Sequence, residues 1–267
     1  MGVSDIIDFK DRALLEKAKK QEKWYFILDP QTGSPYVHDG MTDLFVSPAV
    51  LEKTIQSDRL HYQKRMIVKE YGPKNRTATF GMNIFAYFYY LGLEKIKVFY
   101  DDAFGVLSRE DFLPKRDYRD LEPLNVPVEN PFLRLLLNEF LGEARWDKRY
   151  EGKIEYLQKK EKELFEQIAK ARFLVPMQQQ GEDEVGFAKT SNNGKNYLPL
   201  FTDWLEFSKA YSKEVWKGSV VSIRDAVSIA GEDAMVINFT CEAMVLTEDV
   251  LKRMGILEEK TDEGALW

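Results

Sequence analysis

The chain of 267 residues exceeds the roughly 100–150 residues of a common domain, so it holds two domains or one fused double domain. With 44% apolar and 13% aromatic residues against 31% charged, it has the apolar surface a folded core needs, which excludes wholesale disorder. A net charge of −6 excludes a general nucleic-acid binder, and a single cysteine, Cys241, excludes an intramolecular disulfide or a thiolate metal cluster, as suits a reducing cytosol.

Met1 to Arg12 carries Asp5, Asp8 and Asp11 and no uninterrupted apolar core, so no export signal is expected. Phe9 to Glu22 reads as a first helix, with Leu14, Leu15 and Ala18 as its apolar stripe. Trp24 to Leu28 is an apolar strand stopped by Asp29-Pro30. A short strand at Tyr36 and Val37, the turn Asp39-Gly40 and the run Leu44-Phe45-Val46 come next. Ser47-Pro48 opens a helix that ends before His61, with serine as N-cap and proline where its missing N–H costs nothing. Met66 to Tyr71 and Thr77 to Phe80 read as strands around Gly72-Pro73. Asn83 caps a very apolar helix, Ile84 to Leu91, that Gly92 ends. Ile84 to Leu93 is the longest apolar stretch and falls well short of the roughly 20 residues that cross a bilayer, so no membrane span is expected. Ile96 to Tyr100 and Gly105 to Leu107 are strands around Asp101-Asp102, and Ser108 starts a helix with Asp111 three residues on.

Pro114 to Asn130, rich in proline and charge, reads as a linker. Asn130-Pro131 opens a helix to about Trp146 whose apolar face is Leu133, Leu136, Leu137, Phe140 and Leu141. A second, charged helix runs from about Lys153 to Arg172 and leads into a strand. From here the order of features in the first half returns. Leu14-Leu15-Glu16 before the strand Trp24 to Leu28 is answered by Leu164-Phe165-Glu166 before Arg172 to Pro176. Leu44-Phe45-Val46-Ser47 is answered by Leu200-Phe201-Thr202-Asp203, Asn83 to Gly92 by Ser222 to Gly231 with the strand Met235-Val236-Ile237, and Val106-Leu107-Ser108 by Val245-Leu246-Thr247. The expected fold is therefore α+β, two tandem repeats of a small mixed β-sheet flanked by helices. Residues 1–113 form a diverged first module, 114–130 a linker, 131–257 a second module with leading helices, and 258–267 a tail. An insertion around Arg59 to Asn75 and a polar loop at Gln178 to Asn196 separate the copies.

Ala171 to Gln178, Tyr197 to Asp203, Asp225 to Gly231, Val236-Ile237-Asn238 and Val245-Leu246-Thr247 resemble the SseB family, bacterial proteins named for enhanced sensitivity to serine. The resemblance covers Asn130 to Leu251 well and Phe9 to Leu113 more weakly. It implies a cytoplasmic bacterial module with no established catalytic residues that acts through other proteins. Asn238-Phe239 departs from the family pattern, in which a proline often follows the asparagine.

The candidate chemistry is sparse. His38 and His61 sit at turns without a zinc ligand set, and Asp29, Asp39 and Asp43 lack the spacing of a calcium loop. Cys241 beside Glu242 reads as inert, because a neighbouring carboxylate raises a thiol's pKa. Asn238-Phe239-Thr240 matches the glycosylation pattern, which is silent in an unexported chain. Phe85, Tyr87, Phe88, Tyr89 and Tyr90 read as core, since no interleaved Lys or Arg marks them for bases. No catalytic residue, metal or cofactor is assigned. The expected function is a non-enzymatic interaction or regulatory protein whose partner is another protein, with Trp204, Phe207, Tyr211 and Trp216 as the partner-binding aromatics; neither nucleic acid nor membrane is expected as partner, and a homo-oligomer is compatible. The alternative is a sensor or enzyme for an amino acid or anion, with Ser191, Asn192, Asn193, Asp203 and Asn238 around a pocket at the seam of the copies.

Overall fold

The computed structural model describes residues 6–7, 16, 18, 20–21, 23–57, 67–71, 82, 84–100, 103–114, 116–122, 125–181 and 184–258. The expected helix at Phe9 to Glu22, the strand at Thr77 to Phe80, the cap at Asn83, the turns at Gly72-Pro73 and Asp101-Asp102, and His61 lie wholly or largely outside these. The chain divides into two compact units, residues 1–160 and 161–267, and both are α+β.

In the first unit the strands are β1 (Ile6–Ile7), β2 (Trp24–Leu28), β3 (Val37–His38), β4 (Met41–Phe45), β5 (Ile67–Tyr71), β6 (Lys95–Tyr100) and β7 (Ala103–Ser108). They form one sheet in the order β1-β7-β6-β4-β2-β5, with β3 hairpinned onto β4 across the two-residue turn Asp39-Gly40, both at positive φ. β4 and β6 pair in parallel, which requires a crossover, and helices α1 (Pro48–Ser57) and α2 (Ile84–Tyr90) lie within it. The Ser47 hydroxyl caps α1 by accepting from Val50 N at 3.3 Å. α2 is nearly apolar all round, and it buries Ile84, Phe85, Tyr87 and Phe88, with Phe88 edge-on to Phe26 of β2 at 5.8 Å. Ser108 forms the expected capping box with Asp111, but the helix it starts is only a single 3-10 turn, Arg109–Asp111.

Among its described residues the stretch 114–130 carries no α-helix or strand, and it lies within the first unit together with α3 (Pro131–Ala144), which was expected to lead the second. α3 starts on a proline at its first turn, as its sequence predicts. Its buried side differs from the predicted stripe. Leu133, Leu135, Leu136 and Leu137 are buried, Phe140 and Leu141 only partly, and Arg134, Glu139 and Glu143 are buried with them. Glu139 tolerates burial because it accepts from Gly40 N at 2.6 Å and pairs with Lys160 Nζ at 2.6 Å. The two units meet in sequence inside α4 (Lys153–Lys170).

The second unit contains β8 (Arg172–Gln179), β9 (Val185–Phe187), β10 (Thr190–Asn192), β11 (Lys195–Leu200), β12 (Lys217–Ser222), β13 (Ala234–Ile237) and β14 (Met244–Leu246). Helices α5 (Trp204–Ala210), α6 (Ile223–Ala230) and α7 (Glu248–Arg253) complete it. The expected polar loop after Gln178 is thus partly sheet. β10-β11-β13-β14 and β12-β8-β9 form two sheets, tied by the antiparallel bridge of Leu174 to Phe201, whose N–H groups and carbonyls exchange hydrogen bonds at 2.9 Å. Through that bridge the order is β14-β13-β11-β8-β12. In the first unit it is β7-β6-β4-β2-β5, and every pair has the same direction as its counterpart, including the parallel pairs β4/β6 and β11/β13. β10 and β11 are joined by the two-residue turn Asn193-Gly194, at positive φ like Asp39-Gly40. Among the described residues no helix is long and apolar enough to cross a membrane.

Candidate functional site

Most residues singled out by sequence fall in the second unit. The parallel strands β11 and β13 end together at Leu200 and Ile237, and the chain leaves both ends through polar residues. Asn238 ends β13 by turning to φ 47, a left-handed conformation that asparagine tolerates better than most side chains. Its backbone N–H still donates to Leu200 O at 2.9 Å, while its side chain replaces the next rung of the ladder. Asn238 Oδ1 accepts from Thr202 N at 3.1 Å, and Nδ2 donates to Thr202 Oγ1 and to Glu242 Oε2, both at 2.9 Å. Thr202 Oγ1 donates to Asp203 Oδ2 at 2.8 Å, and Asp203 Oδ1 caps α5 by accepting from Glu206 N at 2.9 Å. Lys209 Nζ closes the chain on Glu206 Oε1 at 2.6 Å.

This knot is interior. Thr202, Asp203, Glu206, Asn238 and Glu242 are all buried, each at 1% exposure or less. Three carboxylates are tolerated there because each holds a donor: a hydroxyl and an amide on Asp203, an ammonium on Glu206, a carboxamide on Glu242. Cys241 Sγ and a carboxylate oxygen each of Glu206 and Glu242 lie within 4.8 Å of one another, a spacing that a divalent cation could bridge. Sequence reading singled out Asp203, Asn238 and Cys241 but not Glu206, Lys209 or Glu242. The spacing of Asp203 and Glu206, a cap followed three residues later by an acid, was the available signal.

Asp203 and Asn238 do not form one site with Ser191, Asn192 and Asn193. The latter three occupy the β10–β11 hairpin at the start of β11, whereas Asp203 follows its end, six strand residues away, about 20 Å. The hairpin is exposed except for part of Thr190, and Lys189 beside it pairs with Asp233 at 2.6 Å.

The predicted aromatic residues do come together. Trp204 and Phe207 rings lie 5.0 Å apart, Phe207 and Tyr211 5.8 Å, and Tyr211 and Trp216 5.3 Å, and Phe201 and Phe239 join them. The members divide by depth. Phe201 and Phe207 are fully buried, so Phe207 supports the cluster from within, while Trp204, Tyr211 and Trp216 reach the surface. Burial raises the Tyr211 phenol's pKa above its ordinary value. Lys213 Nζ stands over the Trp204 ring at 4.7 Å. The same ring lies against Gly218 of β12, where an added Cβ would meet Trp204 Cη2 at 2.6 Å. Val220, two residues along and so on the same face of that strand, is 53% exposed, and Val215 beside Trp216 is 59% exposed.

In the first unit, His38 Nε2 lies 3.2 Å from Asp43 Oδ2, a carboxylate partner that its sequence setting did not suggest. The aromatic helix α2 divides as well: Phe85, Tyr87 and Phe88 are core, while Tyr89 and Tyr90 are half-buried and reach Glu129 and Arg116.

Residues 155–253 match the family model of the SseB protein N-terminal domain, which takes in the polar knot and the aromatic cluster and covers less than half of the chain. No curated protein and no solved structure matches the chain.

Proposed function

We propose, taking residues 155–253 as an SseB N-terminal domain, that this is a bacterial, cytoplasmic, non-enzymatic interaction protein whose second unit docks another protein through Trp204, Tyr211 and Trp216. The observation that carries the reading is the emergence of this aromatic cluster at the surface inside the family segment, bordered by Val215 and Val220, each more than half exposed. Aromatic rings fixed from below and flanked by aliphatic surface supply large contact area at little entropic cost, as anchors of protein interfaces do. The polar knot then serves as a rigid base: it fixes the start of α5, from which Trp204 projects.

A common origin for the two units is part of this proposal. It is supported by the matching strand order, by the two-residue turns Asp39-Gly40 and Asn193-Gly194, and by the helix-ending glycines Gly92 and Gly231. The first unit would then be a partner that has diverged to another task.

Photo-crosslinking in host cells tests the docking face. A crosslinker placed at Val215 or Val220 should capture one specific protein, and Trp216→Ser should abolish the adduct. The same group at Arg224, exposed on α6, should capture nothing specific. Equal adducts from all three positions, or adducts that survive Trp216→Ser, would refute the reading.

A further inference from the structure

The first unit carries an open cavity of ≈ 830 Å³ between the Asp39-Gly40 turn, the segment Gly92–Lys95 and the first turns of α3. That size lies within the range of small-molecule sites, and the wall is largely apolar, with Leu93, Val106, Phe132 and Leu135 prominent. Its charges are unevenly placed. Arg109 lines the cavity at only 5% exposure, its guanidinium over the Tyr89 ring at 5.1 Å. Among the described residues its side chain meets no carboxylate and makes no hydrogen bond.

Arg116 shares the same ring at 4.5 Å, but its charge is answered by Glu129 at 2.5 Å. Glu129 is also held by the hydroxyls of Tyr89 at 2.5 Å and Tyr118 at 2.8 Å, and burial together with this carboxylate pushes the Tyr89 phenol well above its usual pKa. Glu129 therefore answers Arg116, and the Arg109 guanidinium is left, among the described residues, as the cation on the inner wall without a carboxylate beside it. Arg109 is thus little exposed yet opens onto the cavity with no carboxylate beside it, the setting in which a guanidinium takes up an anion from solution. The other charges on the wall, Asp39, Glu94, Glu110 and Lys95, are exposed, and with three acids to one lysine the mouth disfavours anions of higher charge.

We infer that this cavity binds a small monocarboxylate with an apolar body, its carboxylate paired with the Arg109 guanidinium and its body against Leu93, Val106, Phe132 and Leu135. A guanidinium presents two parallel N–H groups that match a carboxylate's two oxygens. A single inner guanidinium without a carboxylate beside it suits a single carboxylate, and the apolar wall rewards a hydrocarbon or aromatic remainder. In the second unit the topological counterpart of Arg109 is Glu248, exposed at the start of α7, so the site belongs to the first unit alone.

The test uses the full chain labelled at its methionine methyl groups. Met41 lines the cavity, and Met235 is buried in the second unit. Benzoate or octanoate should shift the Met41 signal saturably and leave Met235 in place, while benzyl alcohol and inorganic phosphate should not. Arg109→Met keeps an apolar filling of the wall and should weaken carboxylate binding about tenfold or more; Arg109→Lys, which keeps the charge but not the fork, should weaken it less. The inference is overturned if neither carboxylate moves Met41 saturably, if Arg109→Met binds as well as the parent, or if phosphate binds more tightly than both carboxylates. Should Arg109→Met fail to fold, the parent titration and Arg109→Lys still decide.

Discussion

The two units share a pairing scheme and differ in what is packed on it. Where α2 ends, Gly92 turns at φ 71 with the carbonyl of Pro131, the first residue of α3, against its Cα: an added Cβ would lie 2.2 Å from that oxygen. Where α6 ends, Gly231 turns at φ 62 with nothing within 4 Å. In the first unit α3 covers the helix end and, through Glu139, also holds the Asp39-Gly40 turn. The cavity lies between these features, where α3 packs beside the sheet. A shared framework therefore need not imply a shared site.

Alanine at the two glycines breaks this comparison most directly. At Gly231, where φ 62 and ψ −115 form a conformation that glycine adopts far more readily than any L side chain, the substitution meets only this backbone cost, about 2 kcal/mol. At Gly92 it adds a clash with backbone, and α3 must shift, for a total of about 4 kcal/mol. Urea unfolding should show this gap, and equal losses at the two sites would mean that α3 does not pack as described.

The ends of the parallel strands differ as sharply. Aligning Leu44-Phe45 with Leu200-Phe201 sets Phe99 opposite Asn238, since Leu44 pairs with Val98 and Leu200 with Ile237. In the first unit β6 runs on to Tyr100, Val46 N–H donates to Phe99 O at 3.3 Å, and Phe99 stacks on Phe45 at 4.9 Å. In the second, one left-handed residue stops the strand and side-chain bonds take over. Asn238→Ala should cost about 3 kcal/mol, because Thr202 N–H and the Glu242 carboxylate each lose a hydrogen bond in the interior and alanine fits the positive φ poorly. The reverse exchange, Phe99→Asn, should cost about 2 kcal/mol from lost ring burial, with no knot gained because Val46 offers no hydroxyl. Adding Val46→Thr should recover part of that loss; no recovery would show that the knot depends on the φ of Asn238 and not on side-chain type.

Much of this framework was legible in the sequence. Trp24–Leu28 is marked by its apolar run and by Asp29-Pro30, α6 by Ser222 with Asp225, and the hairpin turn by Asp39-Gly40, because each signal is local. The i, i+3, i+7 spacing of Trp204, Phe207 and Tyr211 likewise foretold their contacts. β12 was missed: Lys217, Gly218, Ser219 and Ser222 have little strand propensity, and pairing along all six residues with β8 supplies what propensity lacks. The site residues were hardest to see. Arg109 is hidden inside a capping pattern, and Glu139, Glu206 and Glu242 carry charges that sequence alone assigns to the surface; only partners distant in the chain explain their burial.

The smallest expected effect concerns the cap of α6. Asp225 accepts from Ser222 Oγ at 2.7 Å and from Ser222 N at 2.9 Å, and these bonds, the hydroxyl's first, hold its carboxyl below the ordinary value; Arg172, 3.9 Å away, adds less. Because the folded pKa is depressed, the stabilisation is fully present above the unfolded carboxyl value of about 4 and is lost as pH falls through the lower folded value. The group is exposed, so global stability should barely register the change, and a site-specific carboxyl titration by NMR is the suitable measurement. Ser222→Ala should move the Asp225 midpoint up toward the ordinary value, whereas Arg172→Gln should move it less. If Arg172→Gln moved it more, charge rather than hydrogen bonding would set this cap, and pairing β8 to β12 would be coupled to pH through Arg172, which sits opposite Ser222 in that ladder.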